Sequence, residues 1–322
     1  MALLSVGALL AAATTSASAS SGYGQAMAWG ASVKNTGKQT PAARVAQFEA
    51  AVARPIAATR DFLSWDSPFP TAYETGLRDS GHTLLVSVRT RTVSGAIIPW
   101  ATIAAAAPGS DLYLQMQSWA DRVRDFGAPV YVTFQHEPEA APNNILGTQA
   151  DYIAAWQKWV QIMRDEGATN AKQIWITTAY AYTVKASDRR LATKWYPGDD
   201  WVDAIGTDAY NWFTCRTGIS TPWTSLAALI EKMRQFTLLH PTKEAWVTEF
   251  GSVEDTTQVG RRAQWITDAE AMFQQPGYEQ FRGVLYFDLN KAPCDWRVDA
   301  SPTALAALTA MIDAPAWAPD PG

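Results

Sequence analysis

The sequence predicts an α/β protein folded as a single (β/α)8 barrel, and three observations lead there. Eight short apolar runs alternate with segments of helical periodicity along nearly the whole chain. Hydrophobic residues make up 48% of the 322 residues against 18% charged, enough to fill one large core. The first strand-to-helix turn reads Trp29-Gly30-Ala31-Ser32-Val33-Lys34, without the glycine-rich phosphate loop that usually marks an open doubly wound sheet.

The strands are expected at residues 26–32, 57–63, 83–89, 129–135, 173–178, 202–208, 245–249 and 283–288. Several are rich in Val, Ile, Leu and aromatics, as parallel strands buried on both faces must be. The first helix is expected at 41–54, with Thr40 as N-cap and Pro41 at the first helical position. Apolar spacings of three and four place further helices at 111–126, 150–166, 223–239, 258–274 and 303–313, the last opened by Ser301-Pro302. Shorter helical patterns occur at 71–79 and 187–194. Trp156, Trp159 and Trp265 fall within helices and are expected to pack against the barrel. No linker or repeat interrupts residues 24–315.

Composition narrows the function. A net charge of -5 and the lack of any basic run argue against nucleic acid as a partner. Fifteen Trp suit sugar recognition, because indole faces stack on the apolar faces of pyranose rings. Two Cys and three scattered His (His82, His136, His240) make no metal-ligand spacing, and His136-Glu137-Pro138-Glu139 lacks the second His of a zinc-protease motif. No metal or cofactor is expected. Residues 1–19 read as an export signal, with an apolar run from Leu3 to Ala13 and Ala17-Ser18-Ala19 as a cleavage site, although no Lys or Arg precedes Lys34. Residues 20–322 then form one domain of a secreted, monomeric protein without a membrane span. In an exported chain Cys215 and Cys294 are expected to pair, bridging the loops after the sixth and eighth strands across the seventh.

The chemistry lies at two strand ends. The fourth strand runs Val130-Tyr131-Val132-Thr133-Phe134-Gln135 into His136-Glu137, and the seventh runs Ala245-Trp246-Val247-Thr248 into Glu249-Phe250-Gly251. On a barrel the carboxyl ends of the strands carry function, so the two Glu face one mouth. An acid that protonates a leaving oxygen and a carboxylate that attacks an anomeric carbon are the requirements of retaining glycoside hydrolysis.

These motifs, with Trp195-Tyr196-Pro197-Gly198-Asp199-Asp200 leading to Asp208-Ala209-Tyr210-Asn211, resemble glycoside hydrolase family 26 of clan A over residues 26–313. The resemblance implies Glu137 as acid/base, Glu249 as nucleophile, and Tyr210 and His136 as groups that orient the nucleophile. It implies a β-linked polysaccharide or oligosaccharide as substrate, with β-1,4-mannan first and β-xylan or β-glucan as alternatives. A barrel that binds carbohydrate without cleaving it and a transglycosylase are the other readings. The chain departs from the mannanases of that family. Thr133 and Phe134 stand where an Arg is usual, Trp100 stands where a sugar-contacting His is usual, and the eighth strand reads Leu285-Tyr286-Phe287-Asp288 without a Trp. Trp29, Trp65 and Trp212 occupy positions that could face a sugar or pack in the core, and Asp208 could bond a sugar hydroxyl or a neighbouring side chain. Glu139, past the strand end, reads as a loop carboxylate in reach of substrate.

Overall fold

The computed structural model describes residues 27–33 and 39–314; the expected export segment, residues 1–19, lies outside them. Eight parallel strands close into a barrel in sequence order: β1 (Ala28–Val33), β2 (Ala58–Ser64), β3 (Thr83–Arg89), β4 (Val130–Phe134), β5 (Ala171–Thr178), β6 (Ala204–Asn211), β7 (Glu244–Ser252) and β8 (Phe281–Asp288). The helices are α1 (Pro41–Val52), α2 (Ala72–Asp79), α3 (Trp100–Ala104), α4 (Asp111–Phe126), α5 (Gln149–Asp165), α6 (Leu226–Leu238), α7 (Arg261–Phe273) and α8 (Pro302–Ile312). A two-stranded hairpin, β9 (Asn290–Lys291) and β10 (Cys294–Asp295), extends the loop after β8. Among the described residues no helix is long and apolar enough to cross a membrane.

The helix starts follow their side chains. Thr40 accepts from the Ala43 amide at the head of α1, and Ser301 accepts from the Ala304 amide at α8. The short pattern at 71–79 holds because Thr71 and Glu74 form a capping box that gives α2 its first turn. The 187–194 pattern does not become an α-helix. Asp188 instead turns the chain by accepting from the Arg190 amide, and the Trp195 indole donates to the Arg189 carbonyl. Three 3-10 turns, Ala179–Tyr182, Ala192–Lys194 and Asp199–Trp201, carry the chain from β5 to β6. Trp195 is fully buried against Trp100 and Tyr152, so one large side chain anchors what a helix would otherwise have covered.

Two layers of core fix the barrel. Trp156, Trp159 and Trp265 lie buried in the layer between strands and helices, as expected, and Trp119 joins them there. Inside the barrel Ala58, Leu85, Tyr131, Ile174, Ile176, Ala204, Trp246 and Leu285 form a separate apolar plug. The Trp246 ring packs 4.7 Å from Tyr131 and occupies the space beside β8. A Cβ on Gly283 would lie 2.1 Å from that ring, so only glycine allows Trp246 to fill the plug. The plug closes the lower barrel and leaves the carboxyl ends of the strands as its polar mouth.

Gly283→Ala should therefore destabilise the fold by about 1–3 kcal/mol, the range for overpacking a tight core. Gly76→Ala, in the middle of α2 where an added Cβ meets nothing within 4 Å, should stabilise by up to about 1 kcal/mol. Urea unfolding of the two variants checks both signs.

Candidate active site

The end of β4 is bent into an unusual shape. Gln135 and Glu137 both adopt left-handed backbone angles, φ 50° and 48°, on either side of His136. Such residues cost about 1–3 kcal/mol each and persist only where neighbours over-determine them. The neighbours are visible. The Gln135 amide donates to the Val88 carbonyl at 2.8 Å, and its side-chain oxygen accepts from the Thr90 amide at 3.0 Å. The Glu137 amide donates to the Ile176 carbonyl at 2.9 Å, while the Glu137 carbonyl accepts from Asn143 Nδ2 at 2.8 Å. The turn is thus bolted to β3 on one side and β5 on the other, and Glu137 is delivered half-buried to the mouth. His136 lies edge-on to the Phe62 ring at 5.5 Å.

Glu249 arrives by a different device. In the β6–β7 ladder Thr207 pairs with Val247 but Asp208 pairs with Glu249, so Thr248 is an extra residue. The same slip appears against β8. This bulge re-aims the strand next to the site, the usual consequence of one unpaired residue. Thr248 turns its hydroxyl to Asp208 at 2.6 Å, and the Glu249 carboxylate, 7% exposed, turns to the mouth. Its Oε2 accepts from the Tyr210 hydroxyl and its Oε1 from Arg60 Nη1 at 3.1 Å. Arg60 is buried on β2, donates from Nη1 to Asp208 at 3.0 Å as well, and is held by its Nε to the Ser87 hydroxyl at 2.9 Å.

Three carboxyl groups, Glu137, Asp208 and Glu249, thus gather around one buried guanidinium, and a fourth, Glu139, lies behind Glu137 on Thr178. Burial works against the charge of Arg60, but Asp208, Glu249 and Glu137 outweigh it and raise its pKa. Burial pushes Glu137 up to about 8, helped by the negative charges of Glu249 and Glu139 and opposed by Arg60 and Lys291. Burial likewise raises Glu139 to about 7 against the two donors of Thr178. Asp208 is raised by complete burial, with Arg60 opposing.

Tyr210, expected to orient Glu249, donates its hydroxyl to that carboxylate. Of the two expectations for Asp208, a sugar hydroxyl or a neighbouring side chain, the structure shows the second, with Asp208 buried and bonded to Arg60 and Thr248. Trp29 and Trp65 are corrections. Each is 2% exposed; Trp29 packs on Phe48 and Trp65 on Phe134 and Trp159, so neither faces a sugar. Glu139 is also corrected: at 1% exposed it points into the protein. Trp212 is half-buried beside Tyr210, with the Arg216 guanidinium 3.4 Å from its ring centre. Residues not singled out in the sequence complete the site: Arg60, Ser87, Phe62 and Trp296, whose ring lies 4.7 Å from Tyr210 and 5.0 Å from Trp212. Arg60-Asp61 in an otherwise apolar strand was the available signal for the first of these.

Cys215 and Cys294 are joined, with Cα atoms 5.2 Å apart. The bridge ties the loop after β6 to the β9–β10 hairpin and packs with Val253, Phe287, Trp296 and Trp212. A concavity of about 450 Å³ opens elsewhere on the rim, lined by Pro99, Ile145, Leu146, Thr148 and Arg189, and neither glutamate lines it.

Comparison with known proteins agrees with this geometry. Residues 114–256 match the family model for glycosyl hydrolase family 26, a span that holds both glutamates, Asp208 and Tyr210. Endoglucanase H of Acetivibrio thermocellus is 26% identical over 289 residues, covering 86% of this chain but 30% of that protein, so the chain spans about a third of its relative. Among solved structures, the endo-β-1,4-mannanase of Cellulomonas fimi superposes with a TM-score of 0.64 at 18% identity, over 91% of this chain and 72% of that one. The endo-β-1,4-mannanase catalytic domain of Bacillus sp. JAMB-750 gives 0.64 at 15% identity, over 92% and 88%.

Replacing both cysteines by serine should lower stability by about 4 kcal/mol, the loop-closure value for a crosslink of this span. Guanidinium unfolding of the double variant against the oxidised parent measures it. Equal stability would show that the bridge restrains nothing in the unfolded chain.

Proposed function

We propose that the chain is a glycosyl hydrolase of family 26, a retaining, endo-acting β-glycanase with Glu137 as acid/base and Glu249 as nucleophile. The observation that carries the reading is the contrast between the two carboxyls. Glu249 is gripped at both oxygens by Arg60 and Tyr210, which fixes it for attack. Glu137 is held by burial and two neighbouring negative charges in a range where it still carries its proton at neutral pH. One group is built to attack and the other to donate a proton.

The steps follow. Glu249 attacks the anomeric carbon while the Glu137 proton passes to the departing glycosidic oxygen, leaving a glycosyl ester on Glu249 and a free alcohol. Forming the ester removes the Glu249 charge. The largest like charge raising Glu137 is then gone, its pKa falls, and it becomes the base that takes a proton from water. Water attacks the anomeric carbon, the bond from that carbon to Glu249 breaks so that Glu249 leaves as carboxylate, and Glu137 regains its proton.

For the polymer we favour β-glucan, with β-1,4-mannan second. Endoglucanase H supports the first, and the mannanase folds support the second. The absence of an Arg at Thr133 or Phe134 and of a His at Trp100 weighs against mannose recognition. The pairing of Cys215 with Cys294 and the leader-like residues 1–19 support an exported enzyme.

Proton NMR of the first products from mixed-linkage glucan, mannan and xylan should show the β-anomer, with glucan cut fastest. An initial α-anomer would exclude the retaining mechanism. Glu249→Ala should abolish turnover, whereas Glu137→Ala should keep the first step on a dinitrophenyl glycoside and be accelerated by azide. Because Glu137 acts in its protonated form, kcat/KM should fall as pH rises through about 8. A basic limb that persists unchanged in Glu137→Ala would show that another group donates the proton.

A further inference from the structure

Glu139 is a buried carboxylate that the reaction above leaves without a task. It follows Glu137 by two residues, yet its side chain turns inward from the loop after β4 to the end of β5. There Oε1 accepts from the Thr178 amide at 2.7 Å and from the Thr178 hydroxyl at 2.8 Å. Among the described residues nothing hydrogen-bonds to Oε2, although that atom is buried. Burying a carboxylate with an unsatisfied oxygen is costly, and a neutral side chain could fill the same space. The Glu139 bond to β5 closes the same turn that the Glu137 amide opens by donating to Ile176, two residues before Thr178. Both ends of the strained segment Glu137-Pro138-Glu139 are therefore fastened to one strand.

We propose that Glu139 is a positioning residue for the acid/base: its carboxylate clamps the loop after β4 to β5, holds Glu137 in its left-handed conformation, and keeps a negative charge behind it. The inference rests on the reading of Glu137 as acid/base. The clamp supplies aim and the charge supplies proton affinity. The charged groups around Glu137 are Glu249 on β7, Arg60 on β2, Lys291 on the β9–β10 hairpin and Glu139 itself. Asp208 and Tyr210 on β6 also feel its charge. Around Glu139 stand Asp208 and the phenols of Tyr152 and Tyr182. Of these, Glu249, Glu139 and Asp208 favour a proton on Glu137, and esterification in the glycosyl-enzyme removes only the first of them.

Three variants separate clamp from charge. Glu139→Gln keeps an oxygen for both Thr178 donors and removes the charge. Its basic limb of kcat/KM should move to lower pH by about half a unit or more, because a like charge has been taken from beside a titrating acid. Glu139→Ala removes the clamp. On a phenyl β-cellotrioside, whose leaving group needs a proton, kcat/KM should fall by about 30-fold or more, and on the dinitrophenyl analogue by less than about 3-fold. Thr178→Val loses one of the two donors and should show the same discrimination to a smaller degree, which keeps the question open to test if Glu139→Ala does not fold.

Equal losses on the two leaving groups in both Glu139→Ala and Thr178→Val would mark the clamp as scaffold only and overturn the proposal. An unmoved basic limb in Glu139→Gln would overturn the charge role. Glu137→Ala is the control. If it slows both substrates alike, the acid/base reading fails. If it discriminates between them and the Glu139 variants do not, this inference alone fails.

Discussion

The site depends on one cation in a dry place. Arg60 stands inside the barrel with its Nη1 shared between Asp208 at 3.0 Å and Glu249 at 3.1 Å. At an effective dielectric of about 20, a pair at that distance attracts by about 5 kcal/mol, comparable with the several kcal/mol needed to strip water from each ion. The balance holds only because every partner is fixed. Ser87 holds the guanidinium, Thr248 holds Asp208, and Tyr210 holds the far oxygen of Glu249. Without Arg60 two carboxyls would sit buried against each other with no counter-charge. The bulge at Thr248 and the plug around Trp246 are the means by which the fold brings these groups together and keeps water below them out.

The same scarcity of positive charge governs the other glutamate. One guanidinium faces three carboxyls and bonds only Asp208 and Glu249, so Glu137, without a hydrogen bond from it, is the one of the three left to keep its proton. Glu137 is delivered by a strained turn and faced by two carboxylates. Strain and electrostatics serve a single end here. The left-handed turn sets where the proton is, and the crowded charges set how firmly it is held. On the proposed mechanism the same crowding explains the change of role between steps, since esterification of Glu249 removes part of the repulsion and lets the acid become a base.

Much of this was legible in the sequence. The strand order, the two glutamates at strand ends and the pairing of Cys215 with Cys294 follow from period, position and count, which are local properties. The misreadings have a common cause. Trp29 and Trp65 were placed near strand ends, where an indole can turn either to the mouth or to the helices, and sequence spacing does not say which; both turn to the helices. Glu139 looks like a loop residue because its partner, Thr178, is distant in sequence. Arg60 went unnoticed because its meaning depends on Asp208 and Glu249, which are brought to it only by barrel closure. The 187–194 segment has helical spacing, but the Asp188 turn and the anchoring of Trp195 decide its path.

The central claim is that Glu249 forms a covalent bond to the sugar while Arg60 and Tyr210 hold it. Incubation with a dinitrophenyl 2-deoxy-2-fluoro-β-cellotrioside, followed by peptide mapping in a mass spectrometer, tests it directly. The account predicts one sugar per chain, attached to the peptide that contains Glu249, with dinitrophenol released in equal amount. A label on any other residue would contradict it, as would steady release of dinitrophenol without any label.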